Sequence, residues 1–224
     1  MFTVKQIFLD TETTGLDPAQ GHRIIEIAAV EMINRQVTNN QFHVYINPER
    51  EIDEAAQEVH GLTLEFLSDK QSFEAISEKF VNFIADAELI IHNAPFDIGF
   101  LNMELGRIKK GVVEDYAEVI TDSLVMAREL RPGQRNNLDA LCRHYGVDNS
   151  ERNLHGALLD SLLLAEVFIG MTRGQEALEI DFNNQEKLSI DFDKDILNKL
   201  KVVSASQEEL ELHQEYLKKL NTMK

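Results

Sequence analysis

Ile7-Phe8-Leu9-Asp10-Thr11-Glu12-Thr13-Thr14-Gly15-Leu16 is the stretch on which the reading of this chain turns. A short apolar run with the character of a buried strand ends in carboxylates at alternate positions, and strand alternation turns Asp10 and Glu12 to one face. Two further stretches carry the same kind of residue. His92-Asn93-Ala94-Pro95-Phe96-Asp97-Ile98-Gly99-Phe100-Leu101 follows the apolar run Leu89 to Ile91 and sets a third acid, Asp97, at the start of a helix. Leu154-His155-Gly156-Ala157-Leu158-Leu159-Asp160-Ser161 places His155 and Asp160 five positions apart, near the first turns of a long apolar-periodic helix.

Four carboxylates in one cleft repel one another and need counter-charge. Hard oxygen donors suit two divalent cations, Mg²⁺ or Mn²⁺, held ~4 Å apart as in two-metal phosphoryl chemistry. A histidine beside them, with an ordinary pKa of about 6.5, can take a proton from attacking water near neutral pH. Each piece alone has a plainer explanation: D-x-E is commonly a solvated strand end, and His155 with Asp160 would serve as a helix cap. Independent capping does not predict a matching third acid after a second strand, so the pieces favour a metal site together. Replacing Asp10 or Asp160 with Ala should then relieve repulsion and leave the fold intact or more stable.

Outward from these stretches the chain alternates strand and helix. Strands are expected over Lys5 to Asp10, Ile24 to Asn34, Gln41 to Ile46, Leu89 to His92 and Val119 to Thr121. Helices are expected over Ser72 to Ala85, Asp97 to Lys109, Leu138 to Tyr145 and Gly156 to Met171. The fold class is α/β, a mixed sheet flanked by helices. The loop Arg131 to Asn137, with Pro, Gly and two Arg, reads equally as a phosphate contact or a polar interhelix turn.

A chain of 224 residues can bury one substantial core and carry a tail. Its single cysteine, Cys142, is a small hydrophobe on an apolar helix and can form no internal disulfide, which suits a reducing cytoplasm. Neither a secretory leader nor a membrane-spanning run is visible, so a cytoplasmic protein with no membrane partner is expected. A net charge of −17 disfavours unaided tight binding to long nucleic acid and favours a protein that receives it from a partner.

D-x-E-T-T-G-L, H-N-A-x-F-D-I-G-F and H-x-x-x-x-D together resemble the histidine-type branch of the four-acidic-residue exonuclease superfamily. Within that branch the chain is similar to the proofreading subunits of bacterial DNA polymerase III. Val59-His60-Gly61-Leu62, Thr121-Asp122-Ser123-Leu124 and Pro132 to Cys142 extend the likeness, which covers about residues 3 to 174. It implies a ribonuclease-H-like fold and 3′ to 5′ hydrolysis at a DNA 3′ end. Asp10, Glu12, Asp97 and Asp160 would be the metal ligands, with Asp10 bridging both ions, and His155 the general base. Thr13, Thr14, Leu16, His60 and Phe96, with Asp10, Glu12 and Asp160, would surround the terminal nucleotide. His60 would touch phosphate or sugar, and Leu16 and Phe96 the bases. Phe100 is expected in the core. Glu54-Ala55 stands where the family often has Pro-Glu, so any contact made by that glutamate is absent or replaced.

Residues 1–174 form the expected exonuclease domain, 175–193 a linker and 194–224 a docking segment. In the linker, Gln175 to Phe182 and Gln185 to Phe192 both read Q-E-x-L-x-I-D-F. Gln175, Leu178 and Ile180 resemble the short peptide by which polymerase subunits enter the sliding clamp, a small apolar anchor with a polar rim. Lys194 to Lys224 has apolar residues at helical spacing, and the resemblance implies the polymerase alpha subunit as its partner. A small theta-like subunit is left open. Oligoribonuclease-like RNA trimming would use the same motifs without such a tail. A non-catalytic nucleic-acid-binding scaffold would have no need of all five reactive residues.

Overall fold

The computed structural model describes residues 5–150, 152 and 154–173, and in the tail Ser206, Gln207, Glu209 and His213. The expected clamp peptides at Gln175, Leu178 and Ile180 and at Gln185 onward lie outside the described residues.

Five strands form one mixed sheet: β1 (Lys5–Thr13), β2 (Ile24–Ile33), β3 (Gln36–Tyr45), β4 (Glu88–Ile91) and β5 (Val119–Asp122). Their order is β3-β2-β1-β4-β5. The first three pair antiparallel, and β1-β4 and β4-β5 pair parallel. Among the described residues seven α-helices accompany them: α1 (Glu54–His60), α2 (Leu64–Leu67), α3 (Phe73–Ile84), α4 (Ala94–Arg107), α5 (Ser123–Leu130), α6 (Leu138–Tyr145) and α7 (Ala157–Thr172).

The central strand explains the opening motif. Ile7 and Leu9 of β1 enter a core with Phe73, Ile76 and Phe80 of α3 and Phe100 and Leu101 of α4. Phe8 points to the other face, into a core with Leu141 of α6 and Leu164 and Phe168 of α7. Continuing that alternation, Asp10 and Glu12 follow Phe8 toward the side of α7. The pairing of β1 with β2 shifts register at Glu12/Thr13, and such a bulge re-aims side chains where a ladder ends.

Strand β3 begins at Gln36, five residues before the expected start at Gln41, because Asn34 and Arg35 take φ of 51° and 61° and close a tight hairpin with β2. Helix α5 was not expected as an element. Asp122 caps it, its carboxylate accepting from Leu124 N at 2.8 Å. Arg131 donates to Asn136 Oδ1 and to Arg135 O, so the loop after α5 is a turn bonded to itself.

By contacts the chain divides into Met1–Glu179 and Ile180–Lys224. In the second unit Ser206 and Glu209 exchange hydrogen bonds: Ser206 N donates to Glu209 Oε2 at 2.8 Å and Glu209 N to Ser206 Oγ at 3.3 Å. This is the hydrogen-bond pattern of a capping box; the rest of the expected docking segment 194–224 lies outside the described residues. No helix among the described residues is long and apolar enough to cross a membrane.

Candidate active site

Three chain turns deliver the five candidate side chains to one end of the sheet. The first is the end of β1, with Asp10 and Glu12. The second follows β4, where Asn93 at φ 69° reverses the chain and Pro95 opens α4, putting Asp97 in its first turn. The third is the start of α7, where Asp160 lies in the first turn and its N–H donates to Gly156 O at 3.0 Å. Gly156 is the N-cap, so neither His155 nor Asp160 serves as a side-chain cap.

Glu12, Asp97 and Asp160 are buried, whereas the His155 side chain is 47% exposed. Donor atoms of Glu12, His155 and Asp160 lie within 4.8 Å of one another. Asp10 is held well above the usual carboxylate range, by burial first and then by the charges of Asp97, Glu12 and Asp160. Burial, with help from Glu26 and Asp160, pushes Glu12 up to about 8. Asp97 is pushed up to about 7 by burial, against the opposing hydrogen bond from Thr11 Oγ1 at 2.7 Å. These buried, mutually repelling oxygens are short of positive charge, and the donor set fits hard divalent cations.

Arg152 supplies the positive charge found at the site. Its Nε and Nη2 each lie 2.6 Å from an oxygen of Asp160, Nη1 lies 2.8 Å from Asp139 Oδ1, and Nη2 lies 2.9 Å from His155 Nδ1. The side chain is 7% exposed. Sequence reasoning missed Arg152, which lies in no motif, and Asp139, whose place in an expected helix gave no sign of a partner at the site. The bridge also corrects the expectation for Asp160: removing this carboxylate strands a buried guanidinium instead of relieving repulsion. Asp10, Glu12, His92, Asp139, Arg152, His155 and Asp160 thus share one polar neighbourhood, and all but Glu12 line a cavity of about 290 Å³.

A second cavity, of about 420 Å³, adjoins at Glu12 and is lined by Thr13, Leu16, Asp53, Ala55, Val59, His60 and Phe96. Leu16 is 84% exposed at its rim. Phe96 is half-buried and its ring packs 5.0 Å from that of Phe100, which is core as expected. His60, at the end of α1, is buried. Its Nδ1 accepts from Leu62 N at 3.0 Å, which leaves Nε2 as the protonated nitrogen of the neutral ring; Nε2 is buried without a well-formed hydrogen bond, with the backbone of Thr13 nearby. Desolvation lowers the pKa of His60 and favours that neutral form.

Thr14 departs from expectation. It is fully buried, its hydroxyl lies 3.1 Å from His22 Nδ1 and accepts from Arg23 N, and it does not line the cavity. It supports the turn beside Gly15, where a Cβ would lie 2.3 Å from the His22 ring. The Thr13 hydroxyl is likewise spent on Gly15 O at 2.7 Å. Where the family often has glutamate, Ala55 presents a methyl group, and Asp53 joins Glu12 as a carboxylate lining the cavity.

A strand-end pair of acids, a helix-start acid and a His–Asp helix start on a mixed sheet define a nuclease of the ribonuclease-H-like class. The exonuclease family of the RNase T type matches residues 7–168. DNA polymerase III subunit epsilon of Rickettsia typhi is 48% identical, over 98% of this chain and 98% of its own. Two solved structures share the fold. Exonuclease X in complex with 5′ overhanging duplex DNA has a TM-score of 0.61 at 24% identity, covering 76% of this chain and 93% of its own. The nuclease domain of 3′hExo, a DEDDh family member bound to rAMP, has a TM-score of 0.65 at 17% identity, covering 77% and 94%. The chain belongs to the exonuclease family and, within it, to the epsilon subunits of DNA polymerase III.

Proposed function

We infer that this chain is the 3′ to 5′ proofreading exonuclease of a replicative DNA polymerase, releasing nucleoside monophosphates from a DNA 3′ end. The observation that carries the reading is the convergence of Asp10, Glu12, Asp97, Asp160 and His155 beside an apolar cavity of about 420 Å³ that begins at Glu12.

Asp10, Glu12, Asp97 and Asp160 would hold two divalent cations, Mg²⁺ or Mn²⁺. Bound there, such ions polarise the scissile phosphate and make water a better nucleophile. His155, the exposed member of the cluster, takes the proton of the attacking water. Water adds to phosphorus and the bond to the 3′ oxygen of the preceding nucleotide breaks. The terminal residue leaves as a 5′-monophosphate, and the strand regains a 3′ hydroxyl.

The neighbouring cavity holds that terminal nucleotide. Leu16, Val59 and Phe96 offer apolar faces, which accept any base and suit an enzyme that must remove each of the four. His60 Nε2–H is a buried donor without a well-formed hydrogen bond, and a phosphate or sugar oxygen satisfies it. The net charge of −17 means that grip on DNA comes from the site and from partners. The partners we assign are the polymerase alpha subunit, through 194–224, and the sliding clamp, through Gln175, Leu178 and Ile180. A small theta-like subunit is compatible with this assembly.

The test is hydrolysis of a mismatched DNA primer beside a short RNA, with Mg²⁺ or Mn²⁺ and with EDTA. Stepwise loss of DNA from the 3′ end, abolished by EDTA, is expected. RNA trimming without DNA hydrolysis would instead indicate the oligoribonuclease-like activity, and no hydrolysis of either a scaffold.

A further inference from the structure

Arg152 holds the same atoms that a cation would use. Glu12, His155 and Asp160 offer donors within 4.8 Å of one another, yet both Asp160 oxygens and His155 Nδ1 already face the guanidinium at 2.6, 2.6 and 2.9 Å. We propose that Arg152 is an internal counter-cation that latches the bare site, and that a divalent ion displaces it from Asp160 and His155 onto Asp139. The inference rests on the reading of this acidic cluster as a divalent-cation site.

Hydrogen-bond chemistry makes the latched state inactive. A guanidinium only donates, so His155 Nδ1 must be an acceptor here. A neutral imidazole has one acceptor nitrogen, and a protonated one has none. His155 Nδ1 in this arrangement spends its lone pair on the guanidinium 2.9 Å away. It has none left to take a proton from water. Arg152 must let go before His155 can act as a base.

The surroundings provide for that release. The third guanidinium nitrogen is anchored on Asp139, which is 38% exposed and also accepts from Asn149 Nδ2 at 3.1 Å. Asp139, Arg152, His155 and Asp160 line one cavity of about 290 Å³. Arg152 itself lies outside α6 and α7, in the connection between them, so its movement disturbs no helix. Asp10 and Glu12 are both eased by the Arg152 charge. A guanidinium can play that part while the site is bare. A dication at the same oxygens brings more charge and repels it.

The experiment compares the full-length wild type with Arg152→Gln. Mn²⁺ binding, without substrate, is followed by electron paramagnetic resonance, and His155 ring nitrogens by NMR at a pH well above about 6.5. Losing the latch should tighten Mn²⁺ binding by at least about 5-fold and lower the melting temperature in EDTA. In the wild type, Mg²⁺ should shift His155 Nδ1 from its hydrogen-bonded acceptor signature. Unchanged or weaker Mn²⁺ binding in the variant overturns the latch, as does a His155 signature indifferent to Mg²⁺. The NMR arm decides alone if the variant does not fold. Absence of Mn²⁺ binding in the wild type would overturn the latch by removing the metal reading beneath it. Binding of equal strength in both proteins refutes the latch and leaves that reading standing.

Discussion

Glu12→Gln should stabilise the metal-free protein at alkaline pH. Glu12 is 9% exposed, on a central strand, directly across from the buried Glu26 in the β1–β2 register. Its pKa moves from an ordinary 4.5 to about 8, mainly through burial. At about 1.4 kcal/mol per unit, this shift corresponds to a ceiling of about 5 kcal/mol, and relaxation with water entry reduces the measurable part to about 2 kcal/mol. The sign follows from proton counting: between 4.5 and about 8 the folded protein binds more protons at Glu12 than the unfolded chain does, so stability falls as pH rises through that window. Below 4.5 the penalty is absent, and above about 8 it is fully present. Glutamine is neutral throughout and can donate to Glu26, so the variant should lose less stability as pH rises. Urea unfolding in EDTA across this pH range measures it. Equal pH slopes for the two proteins, or a variant less stable than wild type on the alkaline side, would refute the account of Glu12 as a repelled, desolvated acid.

Asp10→Ala should nearly abolish nuclease activity without destabilising the metal-free fold, whereas Asp160→Ala should abolish activity and cost about 3 kcal/mol by leaving Arg152 partly unpaired; paired activity and denaturation assays separate the two. His155→Ala should lower the single-turnover rate by about 100-fold while Mn²⁺ still binds, and an unchanged rate would deny it the role of base. Gln175→Ala with Leu178→Ala should weaken binding to a purified clamp by about 1 to 3 kcal/mol without altering hydrolysis of a short single strand, and the same pair of changes at Gln185 and Leu188 shows which copy binds. Undiminished clamp affinity in the combined variant would reduce both copies to linker.

The sequence by itself determined all five strands, helices α3, α4, α6 and α7 and the candidate site residues, because these are written in local periodicity and motif. Apolar Ile7 to Leu9 followed by acids at Asp10 and Glu12 is legible as a strand end, since alternation is a property of any extended backbone. Leu138 to Tyr145 was expected and found as a helix with the same ends. Asp97 and Asp160 were legible as first-turn acids for a similar reason. The extra length of β3 and the existence of α5 depended on a two-residue turn and a single capping carboxylate, signals too short to stand out along the chain. Side-chain partnership lay further out of reach, because it is settled by where distant segments meet in three dimensions. Thr14 looks like its neighbour Thr13 in sequence, but the fold turns its hydroxyl onto His22 and away from the cavity. That Ala55 brings only a methyl group to the cavity while Asp53 brings a carboxylate emerges only when α1 is laid beside Glu12. Arg152 has the same explanation: no pattern marks it, and packing alone places its charge where burial has left Asp160 and its fellow acids in need of a cation.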